Sequence, residues 1–172
     1  FYSWLDIVFN EIIKKTCLLV YDVLPAAPAL AGESIVLINI ERREWRLYDL
    51  LRKIRTNYDY IIVDSPPSLG LLTINGLVAA EEVIIPVQCE YYALEGLSQL
   101  LRTILLVKEH ISPHVDVMGA VLTMHDKRNK LSQEVAEEVR KNFPGYVFQA
   151  VIPRSVSLAE APSYGKPIMH YK

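Results

Sequence analysis

Twelve residues, Asp59-Tyr-Ile-Ile-Val-Asp-Ser-Pro-Pro-Ser-Leu-Gly70, restrict the fold more than any other part of the 172-residue chain. Tyr60 to Val63 is a β-branched and aromatic run, the pattern of a strand buried on both faces. Ser65, Pro66 and Pro67 follow at once, and neither a strand nor a helix interior accepts that proline pair. The run therefore stops sharply, on Asp64. In an open α/β sheet, ligands bind just beyond the carboxyl ends of strands. A carboxylate delivered there can hold a magnesium ion, usually through water. An isolated Asp after a strand more often caps a turn, so these residues alone leave both readings open.

Apolar residues make up 51% of the chain and the mean hydropathy is +0.19. No apolar run approaches the 18 or so residues that a membrane helix needs. A parallel sheet, whose strands read as short continuous apolar runs, accounts for the composition. The alternation of such runs with helical patterns points the same way, to βα units in an α/β fold. Strands are expected at Leu18–Leu24, Tyr60–Asp64, Val83–Val87, Val117–Thr123 and Val147–Val151. Helices are expected from Ala29 to about Arg55, broken near Glu41, and at Leu72–Ala80, Ala93–His110 and Ser132–Asn142. In the longest of them Leu94, Leu97, Leu101 and Leu105 form one stripe, apart from Glu95, Gln99 and Arg102. At this length the chain reads as one domain.

A formal net charge of −2 gives no global attraction to nucleic acid or anionic membrane. Between Glu41 and Arg55, six basic residues stand against three acidic ones, a pattern more often found on a solvated helix face than at a ligand site. Cys17 and Cys89 are far apart, Phe1-Tyr2-Ser3-Trp4 has no basic leader region, and the chain is expected to be cytoplasmic and reduced. The four histidines and two cysteines show no zinc spacing.

Several further segments stand in a telling order. They are Leu24-Pro25-Ala26, Leu30-Ala31-Gly32, Leu71-Leu72-Thr73-Ile74-Asn75-Gly76-Leu77, and Ile85-Pro86-Val87-Gln88-Cys89-Glu90-Tyr91-Tyr92-Ala93-Leu94-Glu95-Gly96. Leu122-Thr123-Met124 with Asp126 and Arg128, Val151-Ile152-Pro153-Arg154, and Ala159-Glu160-Ala161-Pro162-Ser163-Tyr164-Gly165-Lys166-Pro167 complete the series. With the Asp59–Gly70 stretch, this order resembles the C-terminal two-thirds of ParA/Soj-type chromosome- and plasmid-partitioning ATPases, in the deviant Walker P-loop class. The resemblance implies a three-layer, parallel-sheet P-loop NTPase-like fold, here truncated at its N-terminus, with residues 1–172 as a single partial ATPase domain. In that family the phosphate-binding loop precedes the point where this chain begins. The seven glycines here, at 32, 70, 76, 96, 119, 145 and 165, bracket no such loop. By themselves these residues are expected to bind ATP poorly and not to hydrolyse it.

The resemblance also assigns roles. Asp64 looks like the Walker B aspartate, holding magnesium through water, with ATP as the nucleotide. Pro153 and Arg154 stand where relatives wrap the adenine base, although a simple strand-ending proline fits equally well. Arg128, with Lys127 beside it, stands where relatives contact DNA phosphates without reading sequence. Ser157 occupies a place where many relatives carry a second basic residue. The Tyr91-Tyr92 loop lies where relatives approach the other subunit of a homodimer, and Glu90 and Glu95 fit the acidic start of a helix. Non-specific DNA, a ParB-like centromere-binding protein and a second copy are the implied partners, with no membrane partner and a nucleoid-associated location. The competing reading is a degenerate, non-catalytic relative that serves as a partner-binding module. A membrane-binding division regulator is disfavoured, because Lys166 to Lys172 is too short and proline-broken for an amphipathic anchor.

Overall fold

The computed structural model describes residues 13–16, 21–26, 37, 40–66 and 68–171. The chain falls into two compact units, Phe1–Ala79 and Ala80–Lys172.

In the first unit, β1 (Lys14–Lys15) and β2 (Asp22–Val23) form a short antiparallel ladder, Lys14 opposite Val23 and Lys15 opposite Asp22. Of the strand expected at Leu18–Leu24, only Asp22–Val23 is formed among the described residues; Leu18 to Val20 lie outside them. Tyr58 donates its phenolic hydrogen to Asp22 Oδ2 at 2.8 Å, and this bond to a carboxylate pushes the phenol's pKa up. The expected helix break near Glu41 is present as a turn in which Arg42 is left-handed, with φ 55°. A 3-10 turn at Arg43–Trp45 leads directly into α1 (Arg46–Leu51), and a second 3-10 turn spans Arg55–Asn57. The first part of that expected helix, Ala29 to Val36, is outside the described residues.

Helix α2 (Leu71–Ala79) packs against α1. Trp45, the residue before α1, offers no side-chain cap to the helix, so the first N–H groups of α1 need another acceptor. Asn75 supplies it from α2. Its Oδ1 accepts from Leu47 N–H at 3.1 Å, and its Nδ2 donates to Arg43 O at 2.8 Å and Leu71 O at 3.0 Å. Asn75 is 4% exposed, and a buried amide so fully used is costly to remove because its partners lose their bonds without regaining water. Asn75→Leu, which keeps the branching and the number of side-chain heavy atoms, is expected to lower the stability of the chain by about 1–3 kcal/mol in urea denaturation. A change under a few tenths would show that Asn75 does not tie α1 to α2.

The strand expected at Tyr60–Asp64 is not formed. Residues 60–66 have no regular structure, with Tyr60 89% and Ile62 92% exposed. A strand exists only through its ladder partners, and no described residue pairs with this segment. The period-two alternation survives nevertheless: Ile61 and Val63, at 38% and 37%, are far less exposed than their neighbours. The segment lies against α2 where Gly76 leaves room, since a Cβ there would stand 2.8 Å from Ser65 Oγ and 3.6 Å from Val63 Cγ1. Buried Thr73 adds a tie by donating its hydroxyl hydrogen to Ser68 O.

The second unit follows the expected βα order. Its elements are β3 (Glu82–Gln88), α3 (Ala93–His110), β4 (Asp116–His125), α4 (Lys130–Asn142), β5 (Val147–Pro153) and the short α5 (Val156–Glu160). The three strands form one parallel sheet in the order β3-β4-β5. Helix α3 packs on β3 and α4 on β4, enclosing Ile85, Val87, Ile104, Val107, Leu122, Val135 and Val139. The register slips between Val83–Val117 and Ile84–Gly119, which leaves Met118 as a bulge. The buried face of α3 differs from the expected stripe at its C-terminal end, where Ile104 and Val107 are buried and Leu105 is 53% exposed. The 3.6-residue period carries the inward face from Leu97 through Leu101 to Ile104, one position short of Leu105. Among the described residues no helix is long and apolar enough to cross a membrane.

Candidate functional site

Because β3, β4 and β5 run parallel, their carboxyl ends share one edge of the sheet. Glu90 follows β3, the loop from Asp126 to Asn129 follows β4, and Arg154 follows β5. Near the end of β4, Met124 adopts φ 53°, a left-handed conformation that side chains larger than glycine take rarely and at a cost. The strand pairing then continues one step further. His125 is in register with Pro153, and Arg154 N–H donates to His125 O at 3.0 Å, which fixes Pro153 and Arg154 beside the β4 loop.

The loop is tied from within. Asp126 Oδ1 accepts from Arg128 N–H at 2.9 Å, the local Asp turn that its short side chain favours. Asp126 N–H donates to Ser132 Oγ at 3.0 Å, and Asn129 Oδ1 caps α4 by accepting from Leu131 N–H at 3.0 Å. Gln133 Nε2 donates to Lys127 O at 2.5 Å. The backbone is thus held while the Arg128 side chain, 92% exposed, projects into solvent. Its guanidinium leans back on Asp126, with Nε 3.3 Å from Oδ1 and Nη2 3.5 Å from Oδ2. The Arg128 N–H, then its guanidinium, and more weakly Arg154 hold the Asp126 carboxyl below the usual carboxylate range. Arg154 in turn is paired with the Glu90 carboxylate.

His125, Asp126, Lys127, Arg128, Pro153, Arg154 and Val156 line an open depression of about 300 Å³. Three basic side chains, Lys127, Arg128 and Arg154, face a single lining carboxylate, Asp126, while Pro153 and Val156 add an apolar wall. Such a lining attracts anions and can accommodate a flat ring beside them.

Four residues singled out from sequence, Lys127, Arg128, Pro153 and Arg154, therefore meet in one depression. Asp64 belongs to the first unit, exposed at the end of the unpaired segment. Tyr91 and Tyr92 are 67% and 82% exposed, their rings edge to face at 5.6 Å. Sequence reasoning missed the tie of Glu90 to Arg154, and no local signal could have shown it, because 64 positions separate the two. Cys89 is a buried free thiol whose pKa is pushed up by burial, which makes it an inert core residue. Among the described residues no three or more His, Cys, Asp or Glu side chains gather as a metal cluster. A magnesium ion bound by one carboxylate, water and nucleotide phosphates needs no such cluster.

A family model for the AAA domain matches residues 4–117. The chain belongs to the AAA domain family. This AAA domain chain is 55% identical over 161 residues to the sporulation initiation inhibitor protein Soj of Bacillus subtilis, covering 94% of this chain and 64% of that protein. It is 51% identical over 166 residues to the chromosome partitioning protein ParA of Myxococcus xanthus, covering 96% of this chain and 59% of that one. The chain thus spans about three-fifths of the length of these relatives. Among solved structures, cobyrinic acid a,c-diamide synthase from Mycobacterium smegmatis with bound ADP and magnesium is similar at a TM-score of 0.79 and 34% identity, covering 91% of this chain and 69% of that one. The ParA/Soj resemblance and the P-loop NTPase-like α/β fold expected from the sequence are both borne out.

Proposed function

We propose that this AAA domain chain belongs to a chromosome- or plasmid-partitioning ATPase of the ParA/Soj kind, which binds DNA without sequence preference and cycles on it with ATP. The observation that carries the reading is the meeting of Lys127, Arg128, Pro153 and Arg154 at the carboxyl edge of the β3-β4-β5 sheet. Lys127 and Arg128 suit DNA phosphates, since both are exposed charges on a loop held by its own hydrogen bonds. Pro153 and Val156 offer an adenine ring an apolar wall, and a volume of about 300 Å³ lies at the lower end of small-molecule pockets. Asp64, exposed and without a competing cation among the described ion pairs, suits a water-mediated hold on magnesium. A second copy and a ParB-like centromere-binding protein complete the proposed assembly, with the exposed Tyr91-Tyr92 pair facing the second copy.

The DNA arm is tested by fluorescence anisotropy on two unrelated duplexes at rising salt. Equal affinities for both are expected, and a linear fall of log K with log salt. Arg128→Ala should weaken binding to both equally and reduce the salt slope by about 0.9, the release attributable to one phosphate contact. An unchanged slope and affinity would remove Arg128 from the interface.

A further inference from the structure

The two arginines at this edge are already occupied. Arg128 presents two guanidinium nitrogens to the two oxygens of Asp126, at 3.3 and 3.5 Å. Arg154 holds the Glu90 carboxylate through one guanidinium nitrogen, Nη2 on Oε1. A guanidinium offers a phosphate the very donors that it offers a carboxylate, so the two acids and an incoming phosphate compete for the same N–H groups. Lys127, by contrast, pairs with no carboxylate among the described residues.

We infer that Asp126 and Glu90 stand in for DNA phosphates in the free protein: each holds one arginine in place, and a backbone phosphate binds by displacing it. The two carboxylates thereby set the affinity of this edge for DNA. The inference rests on the DNA-binding reading above and deepens it, adding to Arg128 a second phosphate contact at Arg154, which the sequence alone placed beside the adenine base. Three features support displacement over a permanent bond. Arg128 is 92% exposed and Arg154 52% exposed on their side chains, and ion pairs in water are weak enough to exchange. The two guanidinium contacts to Asp126, Nε to Oδ1 and Nη2 to Oδ2, hold the Arg128 side chain close to its own loop until a phosphate arrives. Finally, the Asp126–Arg128 N–H bond fixes the loop whether or not the guanidinium is engaged, so releasing the side chain leaves the backbone in place.

Asp126→Asn keeps an oxygen for that backbone bond and removes the competing charge. In the same anisotropy assay it is expected to tighten DNA binding about two- to fivefold, the worth of one exposed ion pair. Glu90→Gln should act likewise through Arg154. Neutralising any acid favours DNA somewhat, so Glu109→Gln, at the opposite end of α3, measures that general effect and should leave affinity nearly unchanged. The decisive arm places Asp126→Asn in an Arg128→Ala background, where the gain should fall to that of Glu109→Gln. A gain that persists there, or one no larger than that of Glu109→Gln, overturns the inference while leaving Arg128 as a DNA contact. Absence of DNA binding in the wild-type chain and every variant overturns the DNA reading and the inference together.

Discussion

Gly119→Val is expected to destabilise the second unit by about 3 kcal/mol, lowering the thermal midpoint by roughly 6–12 °C for a chain of this size. The reason is the bulge in the central strand. A Cβ on residue 119 would lie 2.7 Å from Tyr146 O and 3.1 Å from Phe148 Cε2. The first is a backbone atom that already accepts from Ala120 N–H at 2.9 Å, so it cannot retreat without breaking the β4–β5 ladder. The surroundings offer no slack, because Ala120 and Leu122 are completely buried and close-packed interiors transmit such strain. Gly96→Ala supplies the contrast. Nothing lies within 4 Å of a Cβ there, and the position is inside α3, where alanine is favoured over glycine by roughly 0.5–1 kcal/mol. Far-ultraviolet circular dichroism melts of the two variants test both signs. A Gly119→Val midpoint within about a degree of the wild type would show that the bulge can open.

The contrast between these glycines marks where the sequence was legible. Helix α3 begins at Ala93 and ends at His110 as its amphipathic period indicates, because that period is local. Strands β3, β4 and β5 contain the expected runs and extend them by one to two residues at most at each end, since short β-rich segments between turns announce themselves. Pairing is not local. Tyr60 to Val63 carries strong β-propensity yet forms no ladder, because propensity does not specify a partner. A glycine inside a strand run does not by itself say what approaches it, and only the structure shows that at Gly119 it is Tyr146 O.

The site shows the same division. Lys127 with Arg128, and Pro153 with Arg154, read as two separate sites of different chemistry. They share one depression because β4 and β5 are adjacent and parallel, and strand order is invisible in a linear pattern. Asn75 stood in a motif without a role of its own. Its three bonds join residues up to 32 positions away, so only the packed helices reveal that it replaces a missing cap.

For the ATPase arm, the expected result is that Asp64→Ala cuts magnesium-dependent ATP hydrolysis by about 10- to 100-fold, the usual loss when a residue supporting a metal through its water shell is removed. The assay protein joins the N-terminal portion of the Bacillus subtilis relative ahead of Leu18, so that the part of that relative which this chain does not cover accompanies it. Magnesium bound with ATP supplies charge neutralisation at the phosphates, and the part assigned to Asp64 is to hold and orient that ion's water. The half-saturating magnesium concentration should therefore rise in the variant, which a purely structural role would not produce. Stability should move by less than about 0.5 kcal/mol, as for a surface substitution away from the core. Asp64 is exposed, its segment makes no ladder, and the contact with α2 runs through Val63 and Ser65. Normal turnover with an unchanged magnesium requirement would show that Asp64 only ends its segment, and the metal would then have to be held elsewhere. Loss of turnover together with loss of the circular dichroism signal would assign Asp64 to folding, and unchanged melting with a raised magnesium requirement would assign it to the metal.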